Sequence, residues 1–305
     1  MTTIGLGSAT PLRARLATLS AHLLVALVAL VAIGGATRVM EAGLACPDWP
    51  LCYGSLLPGH RMNVQVFLEW FHRLDAFVVG VGLLVLAAVS CWCRRQLPAA
   101  IPPLTLAAAA LVALQGALGA LTVTLLLPFP VVTAHLLTAL LLVALLSACT
   151  QALLVDPAEV GEARRAAPSL WPWLTALVAV AVLLQCTLGG LMATQWATGA
   201  CLASGDGCHW LAAHRHGARA AAAAVLLLAG FTLWRRPGER PLAALAAALV
   251  LGQIALGVWS LRLSLSVPAV TVAHQVGAAL LVAVLAALMA RSGSPRSQFL
   301  EVIHG

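Results

Sequence analysis

Charge is scarce in this 305-residue chain. Asp, Glu, Lys and Arg make up 9% of it against 62% for hydrophobic residues, and mean hydropathy is +0.99. No soluble domain of this length needs so much apolar surface, which excludes a water-soluble globular fold and leaves a polytopic membrane protein. Lysine is missing altogether, so all 17 basic residues are arginine. The lysine gap reads as genomic composition rather than function. The net charge of +7 could elsewhere suggest nucleic acid, but the distribution of the arginines explains it, and no nucleic-acid partner is expected. A phosphate loop, a nucleotide fingerprint and a Ser-His-Asp order are missing too, so nucleotide and serine-hydrolase chemistry have no foothold.

What is present is a series of long apolar runs. A span needs about 20 apolar residues to cross the bilayer core. Eight stretches qualify, at roughly 17–39, 65–91, 101–126, 131–154, 171–195, 210–234, 241–261 and 268–290. Arg13, Arg15, Arg94, Arg95, Arg164, Arg165, Arg235, Arg236, Arg240, Arg291 and Arg296 fall on one side, and Arg38, Arg61 and Arg262 on the other. The positive-inside rule puts both termini in the cytoplasm and the cysteine-bearing loops outside the inner (plasma) membrane. The first run follows Arg13 and Arg15 as a secretory signal would. It exceeds the usual apolar region of about 7–15 residues and has a counterpart later in the chain, so it reads as a retained span.

Features recur in order. The expected fold is an all-α integral membrane protein, with eight transmembrane helices as two pseudo-symmetric four-helix bundles at 17–154 and 171–290. A polar cytoplasmic linker at 155–170 joins them. An even number of spans per half makes the halves parallel repeats about an axis along the membrane normal. Each half has a Gly-Gly pair late in its first span (Gly34-Gly35, Gly189-Gly190) and an outer loop with two cysteines. Each also has small residues late in its third span, Gly116 to Gly119 and Gly252 to Gly257. Glycines at these places let helices approach closely, which lipid by itself does not drive.

Four histidines share this duplication. His72 and His214 each precede an arginine early in a second span, while His135 and His274 each end a Thr-Ala or Val-Ala stretch after a proline-marked turn. The intervals within the pairs are 63 and 60 residues. An ionisable residue inside a membrane is costly and needs a partner or a metal. A lone histidine would read as a structural hydrogen bond; four at duplicated positions read as ligands. Zinc is the weaker choice, because no third ligand accompanies each pair. Bis-histidine haem needs two axial nitrogens, and each half supplies two.

Arg73 and Arg215 follow the first histidine of each pair. Either can pair with a haem propionate, and either can instead snorkel to the outer interface. Glu69 breaks the duplication, since it stands three residues before His72 and therefore on its face, whereas the matching position is Leu211. That asymmetry gives the halves distinct jobs, one reactive and one for electron transfer or structure. The plainer alternative is an interfacial acid bonded to loop backbone. Cys46 with Cys52 and Cys201 with Cys208 face the oxidising side and are expected as disulfides, either structural or redox-active. Cys91, Cys93, Cys149 and Cys186 read as packing residues. His216, two residues beyond His214, is a competing ligand on sequence grounds.

The loop Cys46-Pro47-Asp48-Trp49-Pro50-Leu51-Cys52, the run Glu69-Trp70-Phe71-His72-Arg73 and the duplicated histidines resemble the bacterial haem A synthases of the CtaA type, over about residues 17–290. The resemblance implies haem b as cofactor on His214 and His274, and substrate haem O between His72 and His135. It implies oxidation of a haem O methyl group to a formyl group by two hydroxylations and loss of water, giving haem A for cytochrome oxidase. Glu69 matches the acid the family places at the reaction site. In the second His-Arg motif His216 stands where the family has an apolar residue. Membrane lipid, a haem O synthase and an unidentified electron acceptor are the expected partners, and a homo-oligomer remains open. Two rival readings have no chemistry at Glu69: a dihaem b electron carrier and a haem-delivery chaperone.

Overall fold

The computed structural model describes residues 10–154, 170–193 and 209–292. Among them are eight helices long and apolar enough to span a membrane. They are α1 (Pro11–Val39), α2 (Val64–Trp92), α3 (Ile101–Thr124), α4 (Phe129–Leu154), α5 (Trp171–Ala193), α6 (His209–Arg235), α7 (Arg240–Arg262) and α8 (Pro268–Ser292). Most of the linker at 155–170 lies outside the described residues, as does the Cys201–Cys208 loop.

The sequence punctuates these helices locally. Proline opens α1, α3 and α7 in the first two positions, where a missing N–H costs nothing because that group has no intrahelical acceptor. Asn63 caps α2 by accepting from Val66 N at 2.9 Å. The ends of α3 and α7 turn alike: Leu126 and Leu127, and Ser264 and Leu265, all have φ between 51° and 60°. In both turns the second left-handed residue donates back into the last helical turn, Leu127 N to Thr122 O at 2.7 Å and Leu265 N to Ser260 O at 2.9 Å. These bonds satisfy carbonyls that a helix end would otherwise leave bare.

The helices close into two rings. Helix α1 packs on α2, α2 on α3, α3 on α4 and α4 back on α1; α5 to α8 close in the same order. The rings join through α4 against α8, with α1 against α8 and α4 against α5 on either side. Hydroxyls stitch this seam and its neighbourhood: Ser147 donates to Ala283 O at 2.7 Å, and Ser20 and Thr150 share a bond of 2.7 Å.

Apolar packing is uneven along the bundle. In the first ring the buried core gathers Leu16, Leu27, Leu83, Leu86, Ile101, Leu146 and Leu153. In the second it gathers Trp171, Val182, Val225, Leu228, Val250, Leu285 and Leu288. These positions lie toward the end away from the four histidines.

Candidate functional site

Each of the four imidazoles sits against a glycine of the helix that precedes its own. A Cβ built on Gly34 of α1 would lie 2.9 Å from His72 Cε1, and one on Gly189 of α5 would lie 2.9 Å from His214 Cε1. The corresponding distances are 3.2 Å from Gly257 of α7 to His274 Cε1 and 3.6 Å from Gly119 of α3 to His135 Cε1. Gly116 and Gly252 meet nothing within 4 Å, so only one glycine of each third-span pattern has this role. The sequence pattern suggested glycines bringing backbones together. Gly34, Gly119, Gly189 and Gly257 also seat imidazole edges.

In the second ring of helices the two imidazoles converge. His214 and His274 have ring centroids 6.5 Å apart and planes at 85°. Two imidazoles on opposite faces of one iron, each bound at about 2 Å, hold their centroids about 6 Å apart. In the other ring His72 and His135 rest on Gly34 and Gly119, late in α1 and late in α3, at the same end of the bundle. The Nδ1 atoms of His72, His135 and His274 are buried with no hydrogen-bond partner among the described residues. A buried imidazole that lacks a partner on the protein is costly. Paired, glycine-seated imidazoles with unspent polar atoms fit axial ligation of haem. His216 and Arg215 are exposed, and it is the His214 ring that meets His274. His209 is exposed at the start of α6, His60 lies in an exposed turn, and His22 bonds Thr18 O.

Glutamines complete the setting, and sequence reasoning missed them. Gln115 Nε2 donates to His135 O at 2.9 Å, Gln185 Nε2 to His214 O at 2.8 Å and Gln253 Nε2 to His274 O at 2.7 Å. Each stands four residues before its histidine-seating glycine, a spacing that was readable once the glycines were known to matter.

Glu69 is 4% exposed and bonded on both oxygens. Oε2 accepts from Cys46 N at 2.7 Å and Oε1 is paired with Arg73. Arg73 also donates to Leu51 O, to Asp48 O at 2.6 Å and to Cys46 O at 3.4 Å. The first turns of α2 thus hold the outer loop, in which Cys46 and Cys52 form a disulfide. Trp70 Nε1 adds a bond to Leu56 O at 2.6 Å. The bonding expected of a plain interfacial acid is therefore present, on the face that carries His72. Arg73 spends its donors on loop carbonyls here. In the same loop Asp48 accepts from Gly54 N at 2.8 Å and Tyr53 N at 2.6 Å. Chiefly the Gly54 N–H, with that of Tyr53 and the Arg73 charge, holds its carboxyl below the ordinary range.

Arg38 and Gln275 form a second polar cluster that the sequence did not flag. Arg38 donates to Ala193 O at 3.0 Å and to Gln275 Oε1 at 3.3 Å, while Gln275 Nε2 reaches Val31 O at 3.3 Å. This cluster ties α1 to both α5 and α8, across the seam between the rings.

A family model described as cytochrome oxidase assembly protein, COX15-CtaA, matches residues 17–286, a stretch that includes all four histidines and Glu69. The chain belongs to the COX15-CtaA family. A curated relative from Shewanella oneidensis named heme A synthase is 32% identical over 84% of this chain and 90% of its own length. Another of the same name, from Sphingopyxis alaskensis, is 33% identical over 90% of this chain and 91% of its own. A shorter similarity, 37% identical over 31% of this chain and 19% of the relative, is to a protoheme IX farnesyltransferase from Haloarcula marismortui. Membership in the COX15-CtaA family agrees with the multi-pass architecture.

Proposed function

We propose that this chain is a haem A synthase, an integral-membrane oxidoreductase that turns a methyl group of haem O into the formyl group of haem A for cytochrome oxidase. The observation that carries the reading is the two imidazole pairs, each ring seated on a glycine, with a buried carboxylate that stands, among the described residues, beside the first pair and not the second. Near-full-length relatives named heme A synthase support it.

His72 and His135 hold the substrate haem in the N-terminal half, at 17–154, and His214 and His274 hold haem b in the C-terminal half, at 171–290. The two halves are pseudo-symmetric, as the repeated glycine and glutamine contacts suggest. Haem b, when bound, supplies one-electron redox chemistry. The residues of the first ring do the rest. Oxidising a methyl group builds positive charge and releases protons. Glu69, fixed by Cys46 N–H and Arg73, offers a preorganised negative charge for the first and a proton acceptor for the second. Arg73 positions Glu69 and the outer loop together.

Arg94, Arg95, Arg235 and Arg240 gather at one end of the bundle and Arg38, Arg61 and Arg262 at the other. This supports cytoplasmic termini and an outward disulfide loop in the plasma membrane. A haem O synthase is the natural partner, because a hydrophobic product is best handed over within the bilayer. With water as the source of the formyl oxygen, the conversion releases protons and electrons in equal number, and the electrons pass to a redox acceptor outside this chain.

Haem extraction and chromatography after co-expression with a haem O source test the reading, with wild type and Glu69→Gln side by side. Haem A or a hydroxylated intermediate is expected in wild type and not in the variant. Haem b alone in wild type, with haem O available, would sink the synthase reading and leave a dihaem carrier or a haem chaperone.

A further inference from the structure

The four imidazole seats are built alike, with one exception. In three of them a glutamine of the preceding helix donates to the histidine's own backbone carbonyl. The glutamine needs room on the histidine helix three residues further on, and finds it. A Cβ on Gly217 would lie 2.4 Å from Gln185 Oε1, and one on Gly277 would lie 2.4 Å from Gln253 Nε2. Opposite Gln115 the same position is Thr138, whose hydroxyl accepts from Gln115 Nε2 at 2.9 Å. The module is therefore Gln, then Gly four residues on, facing His, then a small residue three residues on.

The His72 seat departs at both added positions. Leu30 stands four residues before Gly34, and Asp75 stands three residues after His72. Among the described residues no side chain donates to the His72 carbonyl, and the half-buried Asp75 takes no hydrogen bond. Helix α2 is instead held from its outer end, through Glu69, Arg73 and Trp70 to the loop.

An amide bonded to the second lone pair of a carbonyl fixes both the axial and the rotational register of two helices, and the imidazole follows its helix. Inside a membrane such an interhelical bond has no water to compete with it. Three imidazoles are locked at their own backbone and one is not.

We propose that His72 is the exchangeable axial ligand of this protein, and that Gln115, Gln185 and Gln253 are positioning residues that fix His135, His214 and His274. The inference rests on the assignment of haem sites above and adds to it. The ring given to a retained cofactor has both ligands locked. The ring given to a substrate that must enter and leave has one ligand locked and one able to yield.

Carbon monoxide binding to the purified, reduced, haem-loaded protein reads this directly, because the gas takes only a coordination position that an axial ligand vacates. Wild type is expected to bind it at one haem, and the reaction disappears in a His135→Ala variant that empties the first ring. The double variant Leu30→Gln with Asp75→Gly rebuilds the missing lock. It should lower the carbon monoxide-reactive fraction about fivefold to tenfold, the equilibrium equivalent of one net hydrogen bond. Gln253→Leu copies the Leu30 arrangement into the second ring and should make the second haem reactive. If wild type reacts at the second-ring haem, or if Gln253→Leu leaves that haem inert, the inference falls, and the second arm decides even where the double variant does not fold. Chromatography of the same haems reports synthase activity separately, so either reading can fail while the other stands.

Discussion

Glu69 and Arg73 illustrate how one residue pair serves two ends. Both side chains are largely buried, at 5% and 15% exposure, and removing one member leaves an uncompensated charge. Glu69→Ala should destabilise the protein by about 3 kcal/mol, the cost typical of breaking such a pair, seen as a lower unfolding midpoint in detergent. Glu69→Gln keeps an oxygen for Cys46 N–H and should retain haem and fold while losing haem A formation. Equal instability in the two variants would mean that Glu69 serves the loop alone. Asp48 gives a prediction in pH. Its carboxyl titrates below the ordinary value, so its hold on the Gly54 and Tyr53 amides is complete above that value and is lost as pH falls through the lowered one. Hydrogen exchange at those two amides should stay slow down to about pH 4 and quicken below it. Loss of protection near neutral pH would contradict the assignment.

At the scale of elements, the loop between α1 and α2 depends on α2 as much as on its own disulfide. Closing a ring as short as Cys46–Cys52 stabilises by about 2 kcal/mol in the chain-entropy model. Cys46→Ser with Cys52→Ser should cost that much by thermal unfolding while leaving the haem content of the second ring unchanged; loss of haem from both rings would show the loop to be a folding requirement of the whole bundle. The helices themselves were legible in the sequence, since runs such as 268–290 and the observed Pro268–Ser292 differ only at their ends. Hydropathy sets span length, and proline sets the start. The histidines, Glu69 and the Cys46–Cys52 bridge were legible too, because charge and sulfur stand out in an apolar chain. Gln115, Gln185, Gln253, Arg38 and Gln275 were not. Their importance lies in bonds to backbone carbonyls of other helices, and helix-to-helix register is a tertiary fact that no linear motif carries. Gly34 and Gly189 stand out in the sequence as small residues, but that an imidazole rests on each is a tertiary contact that no linear pattern carries.

At the scale of the molecule, the described residues form two closed four-helix rings with a shared seam, each densely packed at one end and carrying two imidazoles at the other. The Arg38–Gln275 bridge crosses that seam next to His274 and next to the glycine pair that seats His72, so the two sites share a wall. The proposed function puts different haems in the two rings, substrate in the first and haem b in the second. Haem extraction and chromatography from Gly34→Leu and Gly189→Leu, each co-expressed with a haem O source beside wild type, test this most directly. A leucine at either position places carbon where an imidazole now rests. Gly34→Leu should retain haem b and lose haem O and haem A, whereas Gly189→Leu should lose haem b. Haem A persisting in Gly34→Leu, or the same haem lost from both variants, would contradict the account.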